Sequence, residues 1–337
     1  MSGSDHWQRA GQLVMTQIVL VGLGAGAAAA LLFASVTSGA FVSIFLFYLA
    51  PLPILIAALG WSHWSGLIAA VTAAACLGLA FGMMFFVAFL IGIAAPAWWL
   101  GYLALLARPS AKGTGDVEWY PPGRLVLWAA AIGAVVVAIA LFQVGTDEAS
   151  IRDGLKAAIE RVLRLETGVA ADEPLSFPGI TEPEHLLDLF AVVMPPVAAA
   201  ASVLTLTLNL WMAGRVVKLS GRLKRPWPDI PAMTFPRYAP ALLGAAAVVS
   251  FLPDLAGLVA SLFATTLLVA FTMLGFAVLH ALTRGLAGRT AMLSGAYAFV
   301  VVLGWPALLA VLVGVAESIF KWRAKAAGRG PPVAPPG

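Results

Sequence analysis

The chain has 337 residues, of which 61% are hydrophobic and 11% charged, under half the charged share of an ordinary soluble domain, about 25%. Its formal charge of +4 comes from bases set at the ends of apolar runs, a pattern of membrane topology and anionic-headgroup contact rather than of nucleic-acid binding. A single cysteine, Cys76, lies in an apolar run, which excludes a disulfide framework and a thiolate metal site.

The first apolar run, residues 13–34, is too long for the core of a signal peptide and reads as a retained span. Within it Gly22-Leu23-Gly24-Ala25-Gly26 carries the small-xxx-small spacing that lets helices approach closely. Runs at 41–60, 64–81, 83–107 and 125–144 follow, without the period-two alternation of barrel strands. The second contains Pro51-Leu52-Pro53 and ends at Trp61-Ser62-His63-Trp64. Two prolines in one span release backbone carbonyls, as at the midplane sites of transporters. Trp98, Trp99 and Tyr102 read as an interfacial aromatic belt.

Residues 147–188 then hold ten of the sixteen acids against four bases. Ile151, Leu155, Ala158, Ile159 and Val162 recur at helical spacing, predicting an amphipathic surface helix. A linker at 168–180 leads to Thr181 and Glu184, spaced as a capping box. The run 186–213 carries Pro195-Pro196, expected to kink it, and Asn209. Residues 215–237 hold six bases against one acid. Runs at 238–252 and 255–279 come next, and a last run, 290–319, is interrupted at Gly304-Trp305-Pro306. The second of these has 25 residues without a charge, enough to cross a core about 30 Å thick.

Lys and Arg near span ends are retained on the cytoplasmic side. Placing Arg9 there puts Arg108, Lys112, Arg124, the basic loop, Arg284 and Arg289 on the same side and the acidic loop outside. Keeping Lys321, Arg323, Lys325 and Arg329 inside as well requires the last run to be a tight hairpin broken near Trp305-Pro306, or a re-entrant pair of short helices. The expected architecture is all-α: a polytopic transmembrane bundle of eight to ten spans with one extracytoplasmic amphipathic helix. Its parts are an N-terminal bundle of about five spans (1–144), an acidic outer loop (145–185), a C-terminal bundle (186–323) and a disordered cytoplasmic tail (324–337).

No Walker A loop, His-Glu-x-x-His, Cys pair or Gly-x-Ser-x-Gly is present, and His6, His63, His185 and His280 lack metal-ligand spacing. The chain is therefore read as a non-enzyme with no cofactor, no metal site and no catalytic residue. Polar groups at membrane depth are the default functional candidates. Pro53, Trp61, His63, Trp64, Asn209 and Glu317 are the candidate ligand-binding residues. Asn209 could equally hold two helices together, and Glu317, six residues before Arg323, could pair with it. Arg215, Lys218, Arg222, Lys224 and Arg225 are the candidate contacts to lipid or a partner.

Several landmarks occur in a telling order: Pro-Leu-Pro before a short loop, Pro195, Asn209 ahead of the basic loop, and Phe235-Pro236-Arg237. Gly275-Phe276-Ala277-Val278-Leu279-His280 and Glu317-Ser318-Ile319-Phe320-Lys321-Trp322-Arg323 close the series. Over residues 14–323 this resembles the YybS-like family of bacterial membrane proteins (domain of unknown function 2232). The chain departs from that pattern at Glu317, where Asp is usual, and at Leu274-Gly275, where Gln-Gly is common. The resemblance carries no activity with it. It implies a distant likeness to the substrate-binding membrane subunits of energy-coupling-factor transporters, which bind vitamins or metal ions and borrow a separate ATPase. The reading that follows is an inner-membrane subunit, both termini cytoplasmic, that binds or moves a small molecule with a separate ATPase or other membrane subunit. The alternative is a non-transporting scaffold recruiting partners through its basic loop.

Overall fold

The computed structural model describes residues 3–110, 116–169 and 183–323, with side chains from residue 12 and excepting that of Pro183. The expected capping box at Thr181, most of the 168–180 linker and the 324–337 tail lie outside the described residues. Helices α1 (Gly3–Ala34), α2 (Phe41–Tyr48), α3 (Pro51–Gly60), α4 (His63–Phe81), α5 (Met83–Phe89) and α6 (Ala95–Ala104) come first. An antiparallel pair, β1 (Ala107–Pro109) with β2 (Val117–Trp119), precedes α7 (Pro122–Phe142), α8 (Glu148–Thr167) and α9 (Pro183–Leu219). Then come α10 (Ala239–Val249), α11 (Asp254–Leu282), α12 (Arg289–Leu303) and α13 (Ala307–Phe320).

Seven helical stretches among the described residues are long and apolar enough to cross a membrane, and α10, α12 and α13 are shorter apolar helices. At 1.5 Å per residue α10 is about 16 Å long, half the hydrocarbon core. The apolar run 238–252 is thus not one full-length span, because its last residues form the turn into α11. The last run divides as expected, at Gly304 (φ 71°) ahead of Pro306.

Proline acts differently at each site. Pro51 opens α3 at a position where the missing N–H is needed by no helical bond, so the break falls at Leu49 and Ala50, ahead of Pro53. Pro96, at the second position of α6, follows a π-turn at Leu90–Ala94, where Ala95 N–H reaches Leu90 O. Pro195 and Pro196 lie inside α9, which continues through them as one helix.

The packing is that of a protein whose solvent is lipid. Alanine supplies about half of the buried apolar residues, while Leu, Val, Phe and Met dominate a broad exposed apolar surface. Small buried residues let helices approach, and lipid rather than water covers the large ones. This is a multi-pass membrane protein.

The helices group into two compact units, residues 1–129 with 204–230, and residues 130–203 with 231–337. In the first, α1, α3, α4 and α6 share one core around Ile54, Leu55, Ala69, Ala73 and Phe89. Gly22 and Gly26 press α1 onto α4: a Cβ at Gly22 would lie 2.7 Å from Ile68, and one at Gly26 would lie 2.6 Å from the Ala69 carbonyl oxygen. Gly24 faces open space. In the second, α11 and α13 cross at paired glycines. A Cβ on Gly275 would collide with the Ala310 carbonyl, and one on Gly314 with that of Phe271.

Helix α8 begins at a capping box, Asp147 accepting from Ser150 N–H at 2.9 Å and Ser150 Oγ from Asp147 N–H at 3.2 Å, and ends at left-handed Gly168. Of its predicted apolar face, Ile151 is buried and Leu155 packs beside it against Val137, Leu141 and Leu262. Ala158 and Val162 stay exposed.

Gly26→Leu is expected to lower the melting temperature in detergent by about 5 °C, the overpacking penalty of a tight helix crossing, whereas Gly24→Leu leaves it unchanged. A thermal-shift assay of both variants decides.

The hydrogen bonds from Ser150 hold the Asp147 carboxyl below its usual pKa. A carboxylate depressed on folding stabilises above its unfolded value, about 3.9, and loses that contribution as pH falls through the folded one. Hydrogen exchange in the first turn of α8 should quicken severalfold in Asp147→Ala near neutrality. The difference between the variant and the parent should shrink as pH falls below the unfolded carboxylate's pKa and through the lower folded one.

Candidate functional site

In the first unit the bases of the predicted lipid-binding loop turn inward. Helices α3 and α6 end with carbonyls that no helical N–H can reach. Lys224 Nζ donates to Trp61 O at 3.0 Å, at the C-cap of α3. Arg225 donates to Ala104 O at 3.0 Å, the last residue of α6, and to Tyr120 O at 3.3 Å beyond β2. A cation at a helix C-terminus also meets the negative end of the helix dipole. Burial draws the Arg225 guanidinium below its usual pKa, though arginine stays protonated in proteins. Arg222 lies over the Trp61 ring at 4.3 Å, and Arg215 and Lys218 over Trp227 at 5.4 and 5.2 Å. These are cation–π contacts. Arg215 and Lys218 remain exposed.

The Trp61-His63-Trp64 cluster sits at the same junction. Ser62 caps α4 by accepting from Ser65 N–H. Trp98 Nε1 donates to His63 O at 3.1 Å, and the His63 ring packs 5.0 Å from Trp64 and 5.4 Å from Tyr102. Trp64 points outward at 58% exposure, as an interfacial residue does.

Asn209 is buried on α9, and its amide donates to Tyr48 O at 2.9 Å and Thr205 O at 2.8 Å. Tyr48 ends α2, so the Asn209 side chain serves a carbonyl left over at the α2–α3 break. The Asn209 Oδ1, Trp61 Nε1 and Ser65 Oγ atoms are buried without a hydrogen-bond partner among the described residues. Pro53 is half-buried in the first turn of α3.

The second unit holds Glu317, 5% exposed on α13. Its carboxylate pairs with Arg323 Nε at 3.0 Å and accepts from the Arg323 backbone N–H at 3.3 Å. The same guanidinium donates to Pro231 O and, at 2.7 Å, to Met233 O. The ion pair thereby fastens the chain after α13 to the loop before α10. It forms one wall of a cleft of about 820 Å³, whose other walls are Phe235 and Arg237, Leu274 and Leu282 of α11, Arg284 and Lys321.

The six predicted ligand-binding residues divide between the two units. Pro53, Trp61, His63, Trp64 and Asn209 belong to the first unit and Glu317 to the second. Sequence reasoning anticipated the Glu317–Arg323 pairing but missed Arg237, Arg284 and Lys321 as residues of the same cleft. The available signal was that each base abuts the end of an apolar run.

Removing one member of a buried ion pair leaves a buried charge, at a cost of about 3 kcal/mol. Arg323→Gln should therefore destabilise the protein strongly, and adding Glu317→Gln to it should restore much of the loss. Chemical denaturation of the two single variants and the double variant gives the coupling directly.

A family model described as Predicted membrane protein (DUF2232) matches residues 27–316. No curated protein and no solved structure matches the chain. The chain belongs to the DUF2232 family of predicted membrane proteins.

Proposed function

We propose that this DUF2232 membrane protein is a subunit of the bacterial inner membrane that binds or moves a small molecule and has no ATPase of its own. The observation that carries the reading is the cleft of the second unit, an open cavity of about 820 Å³ with a buried ion pair in its wall. Buried charges in membrane proteins concentrate on ligand and ion paths. The helix breaks at Leu49-Ala50 and Gly304-Pro306 add support, since interrupted helices supply the binding groups of many transporters. Energy for transport would come from a separate ATPase or another membrane subunit, because the sequence has no Walker A loop. Pro53, His63 and Asn209 keep a supporting place as residues of the first helix break and its junction.

Both termini are assigned to the cytoplasm and α8 to the opposite side. The convergence of Arg237, Arg284 and Lys321 on one cleft supports placing those three bases on one side. The scaffold reading is weaker, because Arg222, Lys224 and Arg225 are engaged with rings and carbonyls of their own chain.

Native mass spectrometry of the protein purified in mild detergent from its host tests the function. A retained small molecule or an ATPase subunit supports it; a soluble protein partner without ligand supports the scaffold. For orientation, single cysteines are placed at Arg161 and Arg222 in a Cys76→Ala background. An impermeant maleimide should label the first in intact cells and the second only after lysis. The reverse pattern would invert the topology.

A further inference from the structure

The cleft is overloaded with positive charge. Its lining includes Arg237, Arg284, Lys321 and Arg323 against the single acid Glu317. Glu317 is already matched to Arg323, which leaves Arg237 and Lys321 facing the hollow beside that pair. Arg237 and Lys321 are exposed, and neither has an acidic partner among the described residues. Bases gathered along one cleft with apolar walls raise the local positive potential and attract an anion.

A second hollow, of about 750 Å³, adjoins the first and shares Arg237, Ser318 and Lys321 with it. Its remaining lining is apolar: Pro240 and Ala241 at the start of α10, Ile319 and Phe320 at the end of α13. A cationic gate between two hollows, one with an apolar furrow between helices, is the shape of an amphiphile's site. The charge fits a headgroup and the furrow fits an acyl chain. Beside it Phe320 stacks on Trp322, with ring planes 6° apart, and Trp322 is half exposed, as expected at a headgroup level.

The backbone adds an independent observation. Lys321 occupies the left-handed region, φ 52°, at the C-cap of α13, where its N–H closes onto Glu317 O. That position is the natural place for glycine, and a lysine there costs about 1 kcal/mol. A side chain kept where none is favoured marks a functional position.

We propose that the cleft binds one phosphate-headed anionic lipid, its phosphate held by Arg237 and Lys321 and its chain laid along the α10–α13 furrow. Arginine can grip a phosphate in bidentate fashion and lysine adds a point charge. The proposal rests on the reading of this cleft as the ligand site and gives that ligand its chemical class.

The test is native mass spectrometry of the full chain in mild detergent with equal amounts of phosphatidylglycerol and phosphatidylcholine of the same acyl chains. One phosphatidylglycerol per chain should be retained in preference. Arg237→Gln with Lys321→Gln should weaken its retention about 30-fold, the loss of two cation–headgroup contacts, whereas Arg152→Gln with Arg161→Gln on α8 should leave it intact. Lys321→Gly should lose lipid while melting no lower than the parent, which separates the cation's role from a structural one. Equal retention by the parent and the Arg237/Lys321 double variant overturns the proposal. Displacement of the lipid by millimolar inorganic phosphate alone would identify a free-anion site and overturn the lipid assignment. A different small molecule bound at the cleft would overturn the lipid assignment and keep the binding-subunit reading. An empty cleft in every condition would sink both.

Discussion

Hydrocarbon offers no partner to a backbone carbonyl, so every helix end or break at membrane depth must be satisfied from within the protein. The polar side chains of this chain are arranged around that constraint. Asn209 serves the carbonyl of Tyr48 at the α2–α3 break, Lys224 and Arg225 serve the ends of α3 and α6, and Arg323 serves the loop before α10. Each of these groups looks like a ligand-binding candidate when only its chemistry is known. Glu317 and Arg323 combine such a structural task with a position on an open cleft.

The same absence of water reverses the ordinary logic of packing. Helices gain nothing by hiding leucine from a leucine-like solvent, so association depends on close approach and dispersion contact. Gly22 and Gly26 on α1, and the reciprocal pair Gly275 and Gly314, bring backbones together where a methyl group would collide. Leu274 lies next to this crossing, fully buried, and makes its wall of the cleft apolar.

Much of the fold is legible in the sequence, because span length and charge placement are direct consequences of bilayer thickness and dielectric. Helix α8 shows its period in Ile151, Leu155 and Ile159, and the break near Pro306 follows from glycine and proline chemistry. Other features are hidden for physical reasons. The turn residues Phe251 and Leu252 are as apolar as a helix, so the shortness of α10 cannot be read from hydropathy. The strands Ala107–Pro109 and Val117–Trp119 are too brief to show alternation. Pro195 and Pro196 lack two donors, yet α9 continues, a tertiary outcome that local propensity does not decide. The candidate site was the least legible part. Arg225 meets a carbonyl 121 positions away and Asn209 one 161 positions away. The cleft joins three stretches that no local pattern links.

Helices α10, α12 and α13 carry a further consequence. At 11, 15 and 14 residues they rise about 16, 22 and 21 Å, whereas a bilayer core is about 30 Å thick. All three belong to the unit that carries the cleft, and α12 buries none of its residues. Beside them the protein offers lipid a low apolar wall. The bilayer must compress, or its chains must tilt, at a cost of fractions of a kcal/mol per Å of mismatch. Within this unit, short helices bring hydrophobic mismatch with them. A thinner or softer bilayer lowers that cost, so the elastic state of the membrane is a variable to which this unit is coupled.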